Sequence, residues 1–358
     1  MNKKLKQYLR QALQSILFWV LAMVLFGFFR FYGLESQEGV IVTEEFKRAN
    51  QFSAIFPLFV LTGFSFGIIV SFIEFTFEKF ISKKLPIGLS VLLKTFVYFT
   101  FLIGVSTGIL EIAGEFYQIH LNNDRGWWRE NKMFRIILLY VFLSSLIFSF
   151  IKIAVDKFGK GVFIKMLLGK YRKPQEEKRI FMFLDLKSST TIAESLGHYK
   201  YSELIQDCFY DINDVVPKFD AEIYQYVGDE VVLNWPYKKG LSNNNCVALF
   251  FEFQRTLNTK HEYYQNKYGL TPQFKAGLHG GKLMVAEVGV VKKELAFHGD
   301  VINTSARIQS ECNTHNVPIL ISRSLKEDLN IENVYKIKAL GNILLKGKKK
   351  EIGIYTLQ

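Results

Sequence analysis

The distribution of apolar residues divides the chain near residue 155. Before that point, four long apolar stretches at about 13–32, 52–73, 85–110 and 134–155 are interrupted by very few charges. Each approaches or exceeds the roughly 20 residues that a helix needs to cross a bilayer. Beyond it, apolar runs are short and alternate with amphipathic segments, the pattern of strands and helices in a water-soluble domain. They predict a strand at 179–186, a helix at 190–216 closed by Pro217, and a hairpin of 221–227 and 230–235 around Gly228-Asp229. One long helix at 243–268 follows, then a second hairpin, 273–279 and 282–290, around Gly280-Gly281. A helix at 300–314 and short strands at 319–322, 335–340 and 352–357 complete the chain. Strand, helix, hairpin, helix, hairpin is the order of a ferredoxin-like α+β core with additions. The expected organisation is an N-terminal four-helix transmembrane domain (1–155), a juxtamembrane linker (156–178) and a C-terminal α+β ferredoxin-like domain (179–358).

Basic residues orient the spans. Lys3, Lys4, Lys6 and Arg10 precede the first stretch, and Lys79, Lys83 and Lys84 lie between the second and third. Lys157, Lys160, Lys165, Lys170, Arg172 and Lys173 follow the fourth. In a four-span topology all of these fall on one side, which is therefore expected to be cytosolic, with both termini there. The opposite loops hold Glu35, Glu38, Glu44 and Glu45, then Asp124, Trp127 and Trp128, the tryptophans suiting an interfacial belt. The expectation is an integral protein of the cell membrane, in contact with its lipid. Arg30 and Lys152 lie near span ends, and Lys94 and Glu111 are expected to reach headgroups. No histidine lies inside a stretch, which argues against a membrane haem.

Composition follows from this division. The 49% hydrophobic content and 34 phenylalanines concentrate in the first half. The net charge of +12 reflects lysines and arginines flanking the spans, where anionic lipid attracts them. No basic helix, zinc signature or aromatic-basic interleaving accompanies it, so no nucleic-acid partner is expected. Cys208, Cys246 and Cys312 are few and widely spaced, which suits a reducing compartment and no disulfide framework. The first apolar run lacks a small-residue cleavage site and is expected to stay as an anchor.

Chemistry concentrates in the second half. Asp185 ends the apolar run Ile180-Phe-Met-Phe-Leu-Asp185 and precedes Ser188-Ser189-Thr190. Asp229 sits at the tip of Tyr226-Val-Gly-Asp229-Glu230. A strand end beside a hairpin tip would bring the carboxylates together, and such a pair suits Mg²⁺, completed by substrate phosphates. Two ions held so can activate an attacking hydroxyl and neutralise a leaving phosphate. Taken singly, a strand-end Asp is equally a helix cap and Gly-Asp a common turn. In Phe297-His-Gly-Asp300-Val-Ile-Asn303-Thr-Ser-Ala-Arg307-Ile308, the Asn and Arg are four apart and share a helical face. An Arg there can stabilise charge on a transferring phosphoryl group and an Asn can orient a ribose; the same spacing also fits a solvated surface helix. Leu345-Lys346-Gly-Lys348 is a turn suited to a polyphosphate, or simply a solvated loop.

Taken together and in this order, the blocks Phe183-Leu-Asp185 with Ser-Ser-Thr190, Gly228-Asp229-Glu230, His298 through Arg307, and Leu345-Lys-Gly-Lys348 resemble the class III adenylate/guanylate cyclases over about residues 179–358. The resemblance implies a membrane-anchored nucleotidyl cyclase domain with these roles. Asp185 and Asp229 would bind two Mg²⁺ or Mn²⁺ ions per site. Asn303 and Arg307 would orient the ribose and stabilise the transition state. Lys346 would hold the β- and γ-phosphates, and the backbone at Ser188, Ser189 and Thr190 would approach the triphosphate at a helix N-terminus. Sites would form between two copies of the chain, as a homodimer, with the aspartates from one and Asn, Arg and Lys from the other. The purine-selecting positions fall on Gln225 and Ala296, which match neither the adenylate nor the guanylate pattern. An amide both donates and accepts, so Gln225 suits either purine. The family at large favours ATP as substrate, with GTP or dual specificity left open. Tyr226-Val-Gly-Asp-Glu230 also resembles the acidic hairpin of diguanylate cyclases, but its glycine is not doubled and the Asn303–Arg307 helix has no place there. A non-catalytic membrane receptor with a cyclase-like dimerisation domain is the remaining alternative.

Overall fold

The computed structural model describes residues 3–35, 52–80, 85–117, 132–158, 162–291, 293–345 and 350–358. The chain forms two compact units, Met1–Lys157 and Phe158–Gln358.

Among its described residues the first unit has four helices, α1 (Lys3–Glu35), α2 (Phe52–Phe80), α3 (Ile87–Tyr117) and α4 (Lys132–Phe158). Each contains a window long and apolar enough to cross a membrane: Gln11–Phe29, Phe56–Phe77, Gly88–Ile109 and Arg135–Val155. Gly63 and Gly67, four apart on α2, let α1 approach closely. A Cβ at Gly63 would lie 2.6 Å from the Val20 Cα, and one at Gly67 2.6 Å from the Ile16 Cα. Small residues at this spacing are the usual means of close helix contact in lipid. Ser15 Oγ donates to the Gly67 carbonyl at 3.2 Å across the same seam. Trp19 of α1 is fully buried, its ring 4.6 Å edge-to-face from Phe66. The Tyr140 hydroxyl donates to the Ala22 carbonyl at 2.7 Å, tying α4 to α1.

Lys94 does not behave as expected. Its side chain is 12% exposed, and its Nζ lies 3.0 Å from Glu74 Oε2. Lys152 of α4 donates to the same oxygen, and the Tyr98 hydroxyl donates to Oε1 at 2.5 Å. Three helices thus converge on one 9%-exposed carboxylate. An ammonium on an apolar helix gains more from a buried counter-charge than from a long reach to headgroups. Glu111 is exposed. Residues 36–51 and 118–131, with Glu38, Glu44, Glu45, Asp124, Trp127 and Trp128, lie outside the described residues, as do Lys83, Lys84 and Lys160.

The second unit begins with a short helix, α5 (Val162–Leu167), and is built on a mixed eight-stranded sheet. Its strands are β1 (Gln175–Leu186), β2 (Glu222–Val227), β3 (Glu230–Pro236), β4 (Phe274–Val288), β5 (Glu294–His298), β6 (Ile319–Ser322), β7 (Ile337–Ile343) and β8 (Ile352–Leu357). The order is β2-β3-β1-β4-β6-β8-β7, with β5 pairing β4. The β2-β3-β1-β4 part is antiparallel throughout and forms the ferredoxin-like core. Helices α6 (Ser189–Val215), α7 (Tyr237–Leu241), α8 (Asn245–Thr259) and α9 (His261–Tyr268) follow in sequence, then α10 (Asp300–Thr314) and α11 (Arg323–Asp328). Ile180, Met182, Leu184 and Leu186 of β1 share a core with α6, α8 and α9. Phe181 and Phe183 point to the opposite face, where they meet Val301 of α10 and Tyr171 from the segment before β1. Burial on both faces explains the near-continuous apolar run.

Four departures from the sequence pattern have local causes. First, Gly280-Gly281 is not a turn: β4 is one strand, paired with β1 from Phe274 to Val285. The glycines answer steric demands instead, since a Cβ at Gly280 would lie 2.7 Å from the Tyr237 ring and one at Gly281 2.9 Å from Val301. The true hairpin lies beyond Val288 and leads into β5, which the pattern did not predict. Second, the expected long helix at 243–268 breaks at Lys260 (φ −96°, ψ 19°), between α8 and α9. Third, α6 is kinked at Gly197 (φ 73°, ψ 164°), a conformation that side chains resist. Fourth, β1 starts at Gln175, because the polar residues 175–178 alternate between half-buried and exposed at the end of the strand.

Candidate active site

Period-two geometry puts Asp185 on the same face as Phe181 and Phe183, beneath α10. Its register partners are Glu230 on β3 and Lys275 on β4. Lys275 Nζ lies 3.1 Å from Asp185 Oδ2, and Gln309 Nε2 of α10 donates to that same oxygen at 3.1 Å. Lys275 also donates to Asn313 Oδ1 at 3.1 Å.

Asp229 is carried by the two-residue turn between β2 and β3, where Gly228 takes a φ of 61°. A glycine at the first turn position suits such a hairpin. The Asp229 carboxylate lies near enough to Asp185 for its charge to help raise that carboxyl's pKa. Asp229 Oδ2 is buried and has no hydrogen-bond partner among the described residues. A buried carboxylate oxygen without a donor is costly, and a cation would remove that cost. The paired carboxylates therefore fit a divalent ion, which takes one or two such ligands and fills its shell with water and phosphate oxygens. Among the described residues no group of three or more His, Cys, Asp and Glu could hold a metal, so the protein alone offers a partial shell.

Electrostatics agree with a site built to receive positive charge. Burial raises the Asp185 carboxyl above its ordinary pKa; Lys275 opposes the shift and the Asp229 charge adds to it. Burial, then the charges of Asp185 and Asp229, push Glu230 up to about 7. The Tyr201 hydroxyl is raised by burial and by the Asp229 charge, and it hydrogen-bonds Ser189.

Ser188 stands just before α6 in a left-handed conformation (φ 59°, ψ 31°), and its side chain does not cap the helix. Ser188 and Thr190 are exposed and Ser189 half-buried. The first amides of α6 thus open toward solvent beside Asp185, the arrangement that binds phosphate in many proteins.

Asn303 and Arg307 lie on α10 opposite its buried stripe of Val301, Thr304, Ser305, Ile308 and Cys312. Asn303 is exposed, Arg307 half-buried, and no hydrogen bond is formed by either side chain among the described residues. Both therefore point away from the face that holds their own chain's Asp185. Gln225 is exposed at an irregularity in β2, and Ala296 on β5 pairs with Ala286 on β4. The neighbouring rings, Tyr224 and Phe297, meet edge-to-face at 4.9 Å, so β2 and β5 approach each other there. Lys346 lies outside the described residues; Leu345 before it is buried against Ile308, Cys312 and Ile354.

Lys275, Glu230, Gln309 and Tyr201 were not singled out from sequence. Lys275 and Glu230 owe their place beside Asp185 to strand register, and Gln309 to a helix crossing the sheet; Glu230 stands in the Gly228-Asp229-Glu230 block, which gives it no role of its own.

Residues 172–358 match the family model described as the adenylate and guanylate cyclase catalytic domain, just over half of the chain. The chain belongs to this family. Adenylate cyclase 2 of Rhizobium meliloti (strain 1021) is 33% identical over 221 residues, which is 62% of this chain and 61% of that protein. Adenylate cyclase 1 of the same organism is 24% identical over 184 residues, 49% of this chain and 27% of that protein. The chain thus spans under two thirds of the length of either relative. A solved structure of a bacterial light-regulated adenylyl cyclase matches with a TM-score of 0.53 at 17% identity, covering 64% of this chain and 66% of that one, and shows the shared fold.

Proposed function

We propose that this protein is a membrane-anchored nucleotidyl cyclase that converts ATP to 3′,5′-cyclic AMP and pyrophosphate. The observation that carries the proposal is the Asp185–Asp229 pair, with its buried, partnerless Asp229 oxygen, beside a helix N-terminus able to receive phosphate. Divalent ions held by Asp185 and Asp229 would lower the charge on the phosphates and favour loss of the ribose 3′ proton. The 3′ oxygen then bonds to the α-phosphorus as the bond from that phosphorus to the bridging oxygen breaks, and pyrophosphate leaves. The α6 amides at Ser188, Ser189 and Thr190 would hold the triphosphate, with Lys346 on its β- and γ-phosphates. Asn303 would orient the ribose, and Arg307 would neutralise charge on the transferring phosphoryl group.

The outward aim of Asn303 and Arg307 supports a homodimer in which they complete the site of a second copy. Gln225 and Ala296 would flank the purine. Ala296 offers no side-chain hydrogen bond and Gln225 can serve either base, so a second reading, turnover of GTP as well, rests on those two side chains. The four apolar helices would span the cell membrane with both termini in the cytosol, joined to the catalytic sheet through the segment between Phe158 and Gln175.

The test is turnover of ATP and of GTP by the purified full-length protein with Mg²⁺ or Mn²⁺. Cyclic AMP as the main product supports the proposal, and comparable cyclic GMP supports the second reading. Product formation that is absent in the wild type, or unchanged in Asp229→Ala, would refute it.

A further inference from the structure

Gln309 follows Arg307 by two positions on α10 yet faces the other way, into the protein, with 7% of its surface exposed. It is held there by a close helix–sheet approach. A Cβ at Gly277 of β4 would come within 2.2 Å of the Gln309 backbone nitrogen, so only glycine admits α10 at this point. From that anchor the Gln309 amide spans to β1 and donates to Asp185 Oδ2 at 3.1 Å. The Lys275 ammonium approaches the same oxygen, also at 3.1 Å. Both donors therefore approach Oδ2. The chemistry of the side chain suits the task. An amide donates without charge, whereas a carboxylate would repel Asp185 and a second ammonium would compete with a bound cation.

We propose that Gln309 is a positioning residue for the divalent-cation site: together with Lys275 it fixes the Asp185 carboxylate so that Oδ1 is presented to the ion. This rests on the cyclase reading above and deepens it. Groups that hold a metal ligand without touching the metal commonly set its affinity, and their loss costs about 10–100-fold.

The experiment uses the purified full-length protein, Mn²⁺ and 3′-deoxy-ATP, which lacks the attacking hydroxyl. Bound Mn²⁺ is read from the loss of its free-ion EPR signal. Gln309→Met, close in length and without a donor, should weaken Mn²⁺ binding about tenfold. The Mn²⁺ concentration for half-maximal turnover should rise by a similar factor, while the nucleotide KM and the melting temperature stay near the wild type. Gln309→Asn keeps a buried amide but falls one methylene short; it should show the same loss, and it covers a failure of the Met variant to fold. Wild-type Mn²⁺ binding in either folded variant overturns the proposal. Should the wild-type protein bind no Mn²⁺ with the analogue, the cyclase reading itself falls, which separates the two failures.

Discussion

Asp185 on β1 and Glu230 on β3 are register partners, and both face the α10 side of the sheet. With Asp229 next in sequence to Glu230, three carboxyls crowd one end of the strand pair, opposed by Lys275. Burial and the two neighbouring charges lift Glu230 to about 7. The folded protein then holds this proton more tightly than the unfolded chain. The resulting stability is complete below the ordinary carboxylate pKa and is lost as pH rises through about 7. In EDTA, the melting temperature of wild type should therefore fall relative to Glu230→Gln between about pH 5 and pH 8. Parallel curves for the two proteins across that window would show that Glu230 is not so perturbed.

The outward face of α10 gives a prediction about assembly. If Asn303 and Arg307 serve the site of a second copy, an Asp185→Ala chain and an Arg307→Ala chain should each be inactive alone. Random pairing of equal amounts makes half the dimers mixed, each with one intact site, so activity should recover to about a quarter of wild type. Product assays on co-expressed chains check this. No recovery, with mixed dimers demonstrated by differential tags, rules out a shared site.

Much of the fold was legible because it is written in local periodicity. The run Ile180–Asp185 reads as a strand, Gly228-Asp229 as a turn and 300–314 as a helix, and each forms as expected. What escaped was set by distant parts of the chain. Gly280-Gly281 has turn chemistry, and nothing nearby says that Tyr237 and Val301 will press on it. Lys275 and Glu230 join Asp185 only through strand register, and Gln309 only because α10 crosses β4 over Gly277. In the membrane unit, the ion pair of Lys94 with Glu74 escaped for the same reason, since 20 residues and a helix boundary separate them.

The crossing over Gly277 is directly testable. A methyl there meets backbone, the Gln309 nitrogen at 2.2 Å and its Cα at 2.5 Å, so no side-chain rotation relieves it. Gly277→Ala should destabilise the catalytic unit by about 1–3 kcal/mol, the usual range for overpacking. By lifting α10, which carries Arg307 and Gln309, it should also lower turnover. Denaturant unfolding and product assays on Gly277→Ala and the wild type make the comparison. Wild-type stability in Gly277→Ala would mean that α10 does not sit so close.

The membrane unit supplies the last prediction. Glu74 accepts from Lys94, Lys152 and Tyr98, and so joins α2, α3 and α4 through one carboxylate. Removing the shared acceptor takes the carboxylate from two ammonium groups that are mostly shielded from solvent, whereas removing one lysine leaves the other pair intact. Breaking a buried pair from one side costs about 3–5 kcal/mol. Glu74→Ala should therefore lower the melting temperature of the detergent-solubilised protein well below that of Lys94→Met. Restoring packing without charge, in the triple change Glu74→Gln with Lys94→Met and Lys152→Met, should recover part of the loss, because the cost lies in shielded charge that has lost its carboxylate. A Glu74→Ala protein no less stable than Lys94→Met would show that these ammonium groups find other partners and that the carboxylate does not hold the three helices together.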